Sequence, residues 1–592
     1  MDYPTKGADD STTDANAPTA EYLYTLRPRA DLMKLNELIR AFALQNALKY
    51  GGKANPGAVI GKVLSEHAEL KDKIKELAKD VAAVIKDISK LKPDQQLAEL
   101  QQLAPELLEE KKKEEKRELP DLENVHGAVK TAFPPEPSGS CHLGHIKGCL
   151  INYLYAKKYG GTFVLRWEDT NPELASKEFV DEITAGFKWI GLSWDEEIFI
   201  SDTMPLLHKH CEKLLHSGHF YACTCEKEAI SQSRMDGKDC TCRKRSITEN
   251  LTLWNEMKAG KHDKGDLIIR YKNDMAHQNT VMRDPTMFRV VKANHWRQGT
   301  KYSAWPSYDF AAAFSDGAEG ITHRIRSKEF ELRAELQTTL QHLMGYKQTT
   351  ITEQARFNLV GVESSKRKIR EAINEGRLSG WDDPRLSTIA ALRRRGFQPD
   401  AIKTFLFNLG ITKHESTLTW DSIEAENRKV IDTIANRYFF IKDPIKVAID
   451  GAPAYVATLH RHPAHPERGE RHFSTHTGFW LQTSDIEQLT QKKLYRLMDC
   501  LNFTKTAKGY LYASRAHEDY KEKGEKIMHW LPASDDLFDV SVMMPDATTI
   551  SGLGETTMNE LKVNDVVQLE RFGFCRVDRI DGKKIWFWYT HK

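Results

Sequence analysis

The run Phe133-Pro-Pro-Glu-Pro-Ser-Gly-Ser-Cys-His-Leu-Gly-His145 constrains this chain more than any other segment. Its apolar start reads as the end of a strand. Prolines and a glycine then turn the chain, and a helix is predicted from about Leu143 to Lys158. The first N–H groups of such a helix lack partners and face the positive end of its dipole, so the spot attracts phosphate. His142, Gly144 and His145 stand there. Much later, Ser364-Ser-Lys-Arg-Lys368 supplies a basic cluster, read as a loop that closes over the same phosphates.

From Gly127 onward strand and helix patterns alternate, which predicts a parallel α/β sheet. Thr162 to Arg166 reads as a buried strand, and Glu178 to Ile190 as an amphipathic helix stopped by Gly191. Before this, residues 1–27 read as a disordered tail and 28–118 as a small helical domain. One stripe of that domain holds Leu35, Leu38, Ile39 and Phe42. Another holds Ile74, Leu77, Val81, Val84, Ile85 and Ile88. The charged run Glu109 to Glu118 reads as a solvated helix end and linker. Beyond Pro444 short apolar strands alternate with turn signals such as Asp581-Gly582, the pattern of β-barrels.

Length and composition narrow the class. At 592 residues the chain holds several domains. Charged residues make up 29% of it, yet the formal net charge is +2, so any nucleic-acid surface is a local patch. Nine cysteines do not make a disulfide framework in so long a chain. No apolar run reaches the length of a membrane span, and the acidic N-terminus lacks the order of a secretory signal. The expectation is a cytoplasmic protein without membrane attachment.

The histidine motif and the later Lys-Arg-Lys cluster resemble the two signatures of class I aminoacyl-tRNA synthetases. More specifically, the chain resembles the glutamyl-tRNA synthetases of archaeal–eukaryotic type, which are kin to the glutaminyl enzymes. Further anchors are Arg166-Trp-Glu-Asp-Thr-Asn-Pro172, Trp305-Pro-Ser-Tyr-Asp-Phe310, Glu319-Gly-Ile-Thr-His323, Gly380-Trp-Asp-Asp-Pro-Arg385, Leu392-Arg-Arg-Arg-Gly396 and His529-Trp-Leu-Pro532. Tyr50 to Gly57 extends the likeness to the N-terminal domain.

The resemblance implies a multidomain α/β protein. Its Rossmann-like core occupies 119–207 and 305–365, split by an acceptor-binding insertion at 208–304. An activation loop with a helical connecting domain follows at 366–440, and β-barrel anticodon-binding domains at 441–592. It implies ATP with Mg2+, L-glutamate and tRNA(Glu) as reaction partners. Whether tRNA(Gln) is charged as well stays open. Nothing demands more than a monomer, and a protein partner on the N-terminal helical domain is a further expectation.

Activating a carboxylate with ATP is an in-line attack on the α-phosphate, which needs positioned phosphates and stabilised charge. The catalytic expectation falls on His142, His145 and Lys366. Pro135, Glu136, Ser138, Gly144 and Arg367 join them in binding ATP. In the family resembled, Glu168 would hold the substrate's α-amino group and Tyr308 would line the pocket. Arg326 would pair with a γ-carboxylate, which favours glutamate over glutamine. One departure stands out: Ala132 occupies a position where the family normally has an arginine. Losing such a charged contact costs about 1.5–3 kcal/mol, roughly tenfold to a hundredfold or more in affinity. Arg324, Arg326 and Lys328 are the residues at hand to compensate. A glutaminyl-tRNA synthetase and a catalytically weak tRNA-binding paralogue therefore stay as alternatives.

Cys223-Thr-Cys225 and Cys240-Thr-Cys242, fourteen residues apart, form a candidate structural zinc site. Four ordinary reduced thiols are the competing reading. Arg243, Lys244 and Arg245 beyond them are candidates for RNA phosphates or a solvated turn. In the C-terminal region Arg461 and Arg471 lie near Phe473, and Lys508 near Tyr510 and Tyr512, a mixture suited to anticodon bases.

Overall fold

The computed structural model describes residues 35–592 apart from 50, 51, 53, 68, 69, 71, 72, 105, 106, 108–117 and 364. The expected tail at 1–27, most of the charged run and Ser364 lie outside the described residues. The chain divides into two compact units, 1–118 and 119–592.

The first unit is helical: α1 (Leu35–Lys49), α2 (Pro56–Glu66), α3 (Ile74–Ile88) and α4 (Pro93–Leu103). Asn55 caps α2 by accepting from the Ala58 N–H at 3.1 Å, and Pro56 supplies a first-turn φ without an N–H to satisfy. The expected stripes meet in a core of Leu38, Ile39, Phe42, Leu77, Val81 and Ile88. Ile74 is the exception at 46% exposed: it is the first residue of α3, ahead of the turns that face the core. Arg40 ties α1 to α3 through Asp87 at 2.7 Å and to α4 through Glu99.

The second unit is built on a five-stranded sheet. Its strands are β1 (Lys130–Phe133), β2 (Thr162–Trp167), β3 (Glu196–Phe199), β8 (His323–Ser327) and β9 (Thr350–Gln354). Their order is β3-β2-β1-β8-β9, with every pairing parallel. Such a sheet is covered on both faces, which is why β2 reads as nearly unbroken apolar sequence. Between β1 and β8 the strand order reverses, and in open α/β sheets the crevice for ligands lies at such a point, beyond the carboxyl ends of the strands.

On one face lies α5 (Leu143–Lys158), the helix predicted from the motif. Asn152 on α5 accepts from the Thr131 hydroxyl with its backbone carbonyl (2.8 Å) and donates from Nδ2 to the Ile325 carbonyl (2.9 Å). It thereby clamps β1 and β8 to the same helix. Gly161 enters β2 so close to β1 that a Cβ there would lie 1.8 Å from the Val129 carbonyl oxygen. Next come α6 (Lys177–Ile190), ended by Gly191 at φ 83°, and α7 (Met204–His216).

The insertion carries β4 (Phe220–Cys223), α8 (Lys227–Asp236), α9 (Ile247–Lys258), β5 (Ile268–Tyr271), β6 (Thr286–Val290) and β7 (Ala304–Pro306). Its strands form an antiparallel sheet in the order β4-β5-β6-β7. The expected boundary at 208 falls inside α7. The core shows why: Leu207, Cys211, Trp254 and Phe288 pack with Phe310 and Phe314 of α10 (Tyr308–Glu319) and Leu336 of α11 (Ala334–Leu343). The insertion and the second half of the parallel-sheet unit share one interior.

Four helices follow: α12 (Lys366–Asn374), α13 (Ile389–Arg395), α14 (Pro399–Asn408) and α15 (Trp420–Ile434). The short α13 is fastened at both ends. At its start the Ile389 N–H donates to the Cys141 carbonyl (2.8 Å), and Thr388 forms a bridge with His142. At its end Arg394 pairs with Asp578 (2.9 Å), and Arg395 donates to the Thr590 carbonyl (2.8 Å).

The β region begins at Asn436, earlier than the expected 441. Asn436–Tyr438 and Phe440–Lys442 already pair with Val566–Leu569 and Thr549–Gly554. Two seven-stranded sheets and a two-stranded sheet of Tyr455–His460 and Glu470–Thr475 make up this region. Arg471, expected to face RNA, is 1% exposed; it donates to Glu555 and Glu570 and lies 4.9 Å above the Phe439 ring. Phe473 is core. Arg461 is engaged by Glu560, whereas Lys508 stays exposed and Tyr510 and Tyr512 half-buried. Among the described residues no helix is long and apolar enough to cross a membrane.

Gly161→Ala should destabilise the second unit by about 1–3 kcal/mol or more, because a backbone carbonyl occupies the site of the new methyl. Gly61→Ala, where nothing lies within 4 Å, should instead stabilise α2 by about 0.5–1 kcal/mol. Denaturant midpoints of the two variants check the pair.

Candidate active site

The segment after β1 folds back over the strand ends. The Pro135 carbonyl accepts from the Glu168 N–H (3.0 Å), and the Pro137 carbonyl from the Ser176 N–H (3.0 Å). Within the segment, the Ser138 hydroxyl donates to Glu136 Oε2 at 2.7 Å. Lys366 comes from far along the chain to lie beside Gly139, its Nζ 3.5 Å from Ser138 Oγ. The two signature segments therefore meet.

Their meeting differs in form from the expected loop. Lys366 opens α12, with Ser365 as its cap, so the cation sits at a helix N-terminus. Arg367 points away: its side chain is 81% exposed and 3.9 Å from Glu371. Arg370, one turn on, takes the inward place and donates to the Ser138 carbonyl. A helical i,i+4 reading from Lys366 would have found it.

His142 caps α5. Its Nδ1 accepts from the Gly144 N–H at 3.1 Å, which leaves the proton of the neutral ring on Nε2. His145 stacks on it with ring centroids 3.9 Å apart. Gly144 has a local reason: a Cβ there would lie 2.9 Å from His142 Cε1. Burial, and then the Lys366 and Arg356 charges, push His142 down to about 4. Burial, with His142 and Lys366, pushes His145 well below the usual imidazole range. Both rings are neutral N–H donors at pH 7. Burial also lowers Lys366, against the pull of Glu136.

Glu168, the residue after β2, is buried. Its Oε1 accepts from the Thr170 hydroxyl at 2.6 Å, and its Oε2 has no partner. Burial raises it to about 7. Tyr308, at the start of α10, feels the charges of Arg324, Glu168 and Arg326 and packs 5.2 Å from the Phe330 ring. Arg324 and Arg326 alternate along β8 on the face away from α5. Arg324 donates to the Ala312 carbonyl (3.0 Å) and Gln337 (2.7 Å) and pairs with Asp316. Arg326 donates to Gln337 (2.7 Å) and the Phe330 carbonyl (3.0 Å), while its Nε has no partner.

Pairing of Thr131 with His323 sets Ala132 beside Arg324, within an apolar group formed with Val164 and Ile321. Arg289 on β6 was not expected from sequence. It is half-buried; its side chain makes no ion pair or hydrogen bond with the described residues and feels Glu168, Glu173 and Glu136 across space.

In the insertion the four Sγ atoms of Cys223, Cys225, Cys240 and Cys242 lie within 4.8 Å of one another. Two of the separations are 3.9 Å (Cys223–Cys240) and 3.8 Å (Cys225–Cys242). Arg270 Nη1 approaches Cys223 and Cys240 at 3.9 and 3.8 Å. Arg243 is held by Asp284 (2.7 Å), and Arg245 by the Ala222 carbonyl (2.7 Å). They brace this knuckle, and Lys244 alone of the three is exposed.

The profile of the class I tRNA synthetases for E and Q (glutamate and glutamine), catalytic domain, matches residues 128–433. Two anticodon-binding profiles of the same group match 435–510 and 527–578. The chain belongs to that family. Among its relatives are proteins named glutamate–tRNA ligase from archaea. That of Methanothermobacter marburgensis is 38% identical over 561 residues, covering 95% of this chain and 100% of the relative. That of Pyrococcus abyssi is 38% identical over 575 residues, with the same coverage. In this synthetase the family profile runs through the crevice, the knuckle and α12 to α15, then into both terminal sheets.

The imidazole of His142 in this synthetase should stay neutral down to about pH 5 and titrate near 4. An unperturbed imidazole titrates around 6.5, and nitrogen-15 NMR of the labelled imidazoles shows whether His142 falls below it.

Proposed function

We propose that the protein is a glutamate–tRNA ligase. It converts L-glutamate and ATP to glutamyl-adenylate and pyrophosphate, then transfers the glutamyl group to the 2′-OH of the terminal adenosine of tRNA. What carries the reading, beside the family membership, is Arg326: a buried cation with an unclaimed Nε proton, whose charge Tyr308 feels together with that of Glu168.

Glutamate enters with its ammonium toward Glu168 and its γ-carboxylate toward Arg326. The ionised form of Glu168 is favoured when the ammonium arrives, because an opposite charge offsets the burial that raises its pKa. ATP enters as its magnesium complex. Its phosphates face the N-terminus of α5, where Nε2 of His142 and the ring of His145 donate to oxygens as charge develops. The α-carboxylate attacks the α-phosphorus, a P–O bond forms, and the bond to pyrophosphate breaks. Lys366 offsets the charge of the departing pyrophosphate, and Arg370 holds the Ser138 segment against it. In the second step the tRNA hydroxyl attacks the acyl carbon and AMP leaves.

Zinc fits the cysteine quartet. Four thiolates about 2.3 Å from a tetrahedral ion stand about 3.8 Å apart, close to the two separations given above. Cys223, Cys225, Cys240 and Cys242 would all be ligands, so the ion would be structural, with no open position. The insertion then receives the acceptor end of tRNA, and the terminal sheets receive the anticodon with Lys508, Tyr510 and Tyr512. We further place the chain in the cytoplasm as a monomer with its helical unit open to a protein partner.

Aminoacylation of total tRNA with labelled glutamate or glutamine tests the reading. Charging with glutamate supports it. Charging with glutamine would transfer the chain to the sister specificity, and tRNA binding without charging would make it a binding paralogue. Zinc analysis should give one ion per chain, and Cys240→Ser should lower both the zinc content and the thermal midpoint. A metal-free protein of unchanged midpoint would remove zinc from the account.

A further inference from the structure

Gln337 lies on α11 and is 2% exposed. Its Oε1 accepts from Nη1 of Arg324 and from Nη1 of Arg326, each at 2.7 Å. Its Nε2 donates to Asp309 Oδ1 at 3.0 Å, and Arg333 holds the other oxygen of Asp309. A guanidinium only donates and a carboxylate only accepts, so this amide has one orientation. Turned over, it would set N–H against two cations and oxygen against an anion.

The neutrality of this amide matters as much as its direction. Arg324 and Arg326 stand two residues apart on one face of β8. A carboxylate between them would hold both and neutralise one. An amide oxygen holds both and leaves their charges in place. Arg324 is already matched by Asp316. The carboxylate within reach of Arg326 is Glu353, at 3.5 Å, and burial pushes its pKa up. Arg326 keeps its charge only partly answered and its Nε free.

We propose that Gln337 is a positioning residue for amino-acid specificity: one amide oxygen aims Arg324 and Arg326 so that Arg326 meets a substrate γ-carboxylate without being neutralised first. The proposal rests on the reading of Arg326 given above. Asp309 and Arg333 extend it as the support that fixes the amide. Asp309 follows Tyr308 in α10, so the same support also steadies the aromatic wall of the pocket.

The test uses the full chain and non-hydrolysable glutamyl- and glutaminyl-adenylate analogues, with binding measured by calorimetry. Gln337→Met removes the oxygen at similar volume, and Gln337→Glu keeps an acceptor but adds the neutralising charge. Both should weaken the glutamyl analogue by at least about tenfold and the glutaminyl analogue by less than about threefold, as expected when a charge-assisted contact is misaimed. The KM for ATP should stay within about twofold, since the phosphate cradle is untouched. A purely structural role would weaken both analogues alike. Equal loss, or an unchanged ratio of affinities, overturns the proposal. If Gln337→Met lacks a cooperative thermal transition, Gln337→Glu decides. Arg326→Cys is measured alongside. If it loses discrimination while the Gln337 variants keep it, the positioning role falls and the reading of Arg326 stands. If Arg326→Cys also keeps discrimination, both fall.

Discussion

The parallel seam between β1 and β8 is the constraint on which the rest depends. Its hydrogen bonds join residues 192 apart in sequence: the Lys130 N–H donates to the Thr322 hydroxyl, and the Thr322 N–H to the Lys130 carbonyl. Asn152 then fastens both strands to α5. Without the seam, the helix N-terminus bearing His142 and the strand bearing Arg326 would have no fixed relation. With it, they flank the point where strand order reverses. The whole insertion is a detour between the two, and its core continues into α10 and α11, so the detour also helps hold the seam closed.

Two kinds of charge stand around that crevice, and they behave differently. Arg166, Asp316, Glu319 and Arg324 form a balanced, buried quartet of two cations and two anions. Removing one member of such a set leaves an uncompensated charge and costs about 3–5 kcal/mol. Glu168, Arg326 and Arg289, by contrast, each carry bonding capacity that the protein leaves unmet. The balanced set ties β2, α10 and β8 together, whereas the unmet atoms tie nothing.

Much of this was legible in the sequence because it rests on local chemistry. The helix from Leu143 to Lys158, the strand at Thr162 and the stop at Gly191 follow from apolar period, turn residues and a left-handed glycine. The cysteine quartet followed from spacing. What was not legible depends on direction in space. Lys366 to Lys368 read as a loop that closes over phosphates, yet Ser365 caps a helix that begins at Lys366. That helix turns Arg367 outward and Arg370 inward. Arg471 looked like an RNA contact because arginine beside aromatics suits both a surface and a buried ion pair. Glu555 and Glu570, 84 and 99 residues away, decide between them. Gln337 carried no signal, since an amide in an amphipathic helix acquires meaning only when two arginines converge on it.

Helix α13 has seven residues, about 10 Å of rigid rod at 1.5 Å per residue. Both its ends are bonded, one to the backbone of Cys141 and His142, the other to Asp578 and Thr590. A flexible loop between the terminal sheet and the turn at Cys141 and His142 would dissipate strain in torsion angles. A short helix passes it on as displacement. The ends of the last strands, 195 residues from Arg395 in sequence, are therefore mechanical neighbours of the histidine pair. The tolerance of that turn to movement is set in part by how tightly a distant β-sheet grips two arginines.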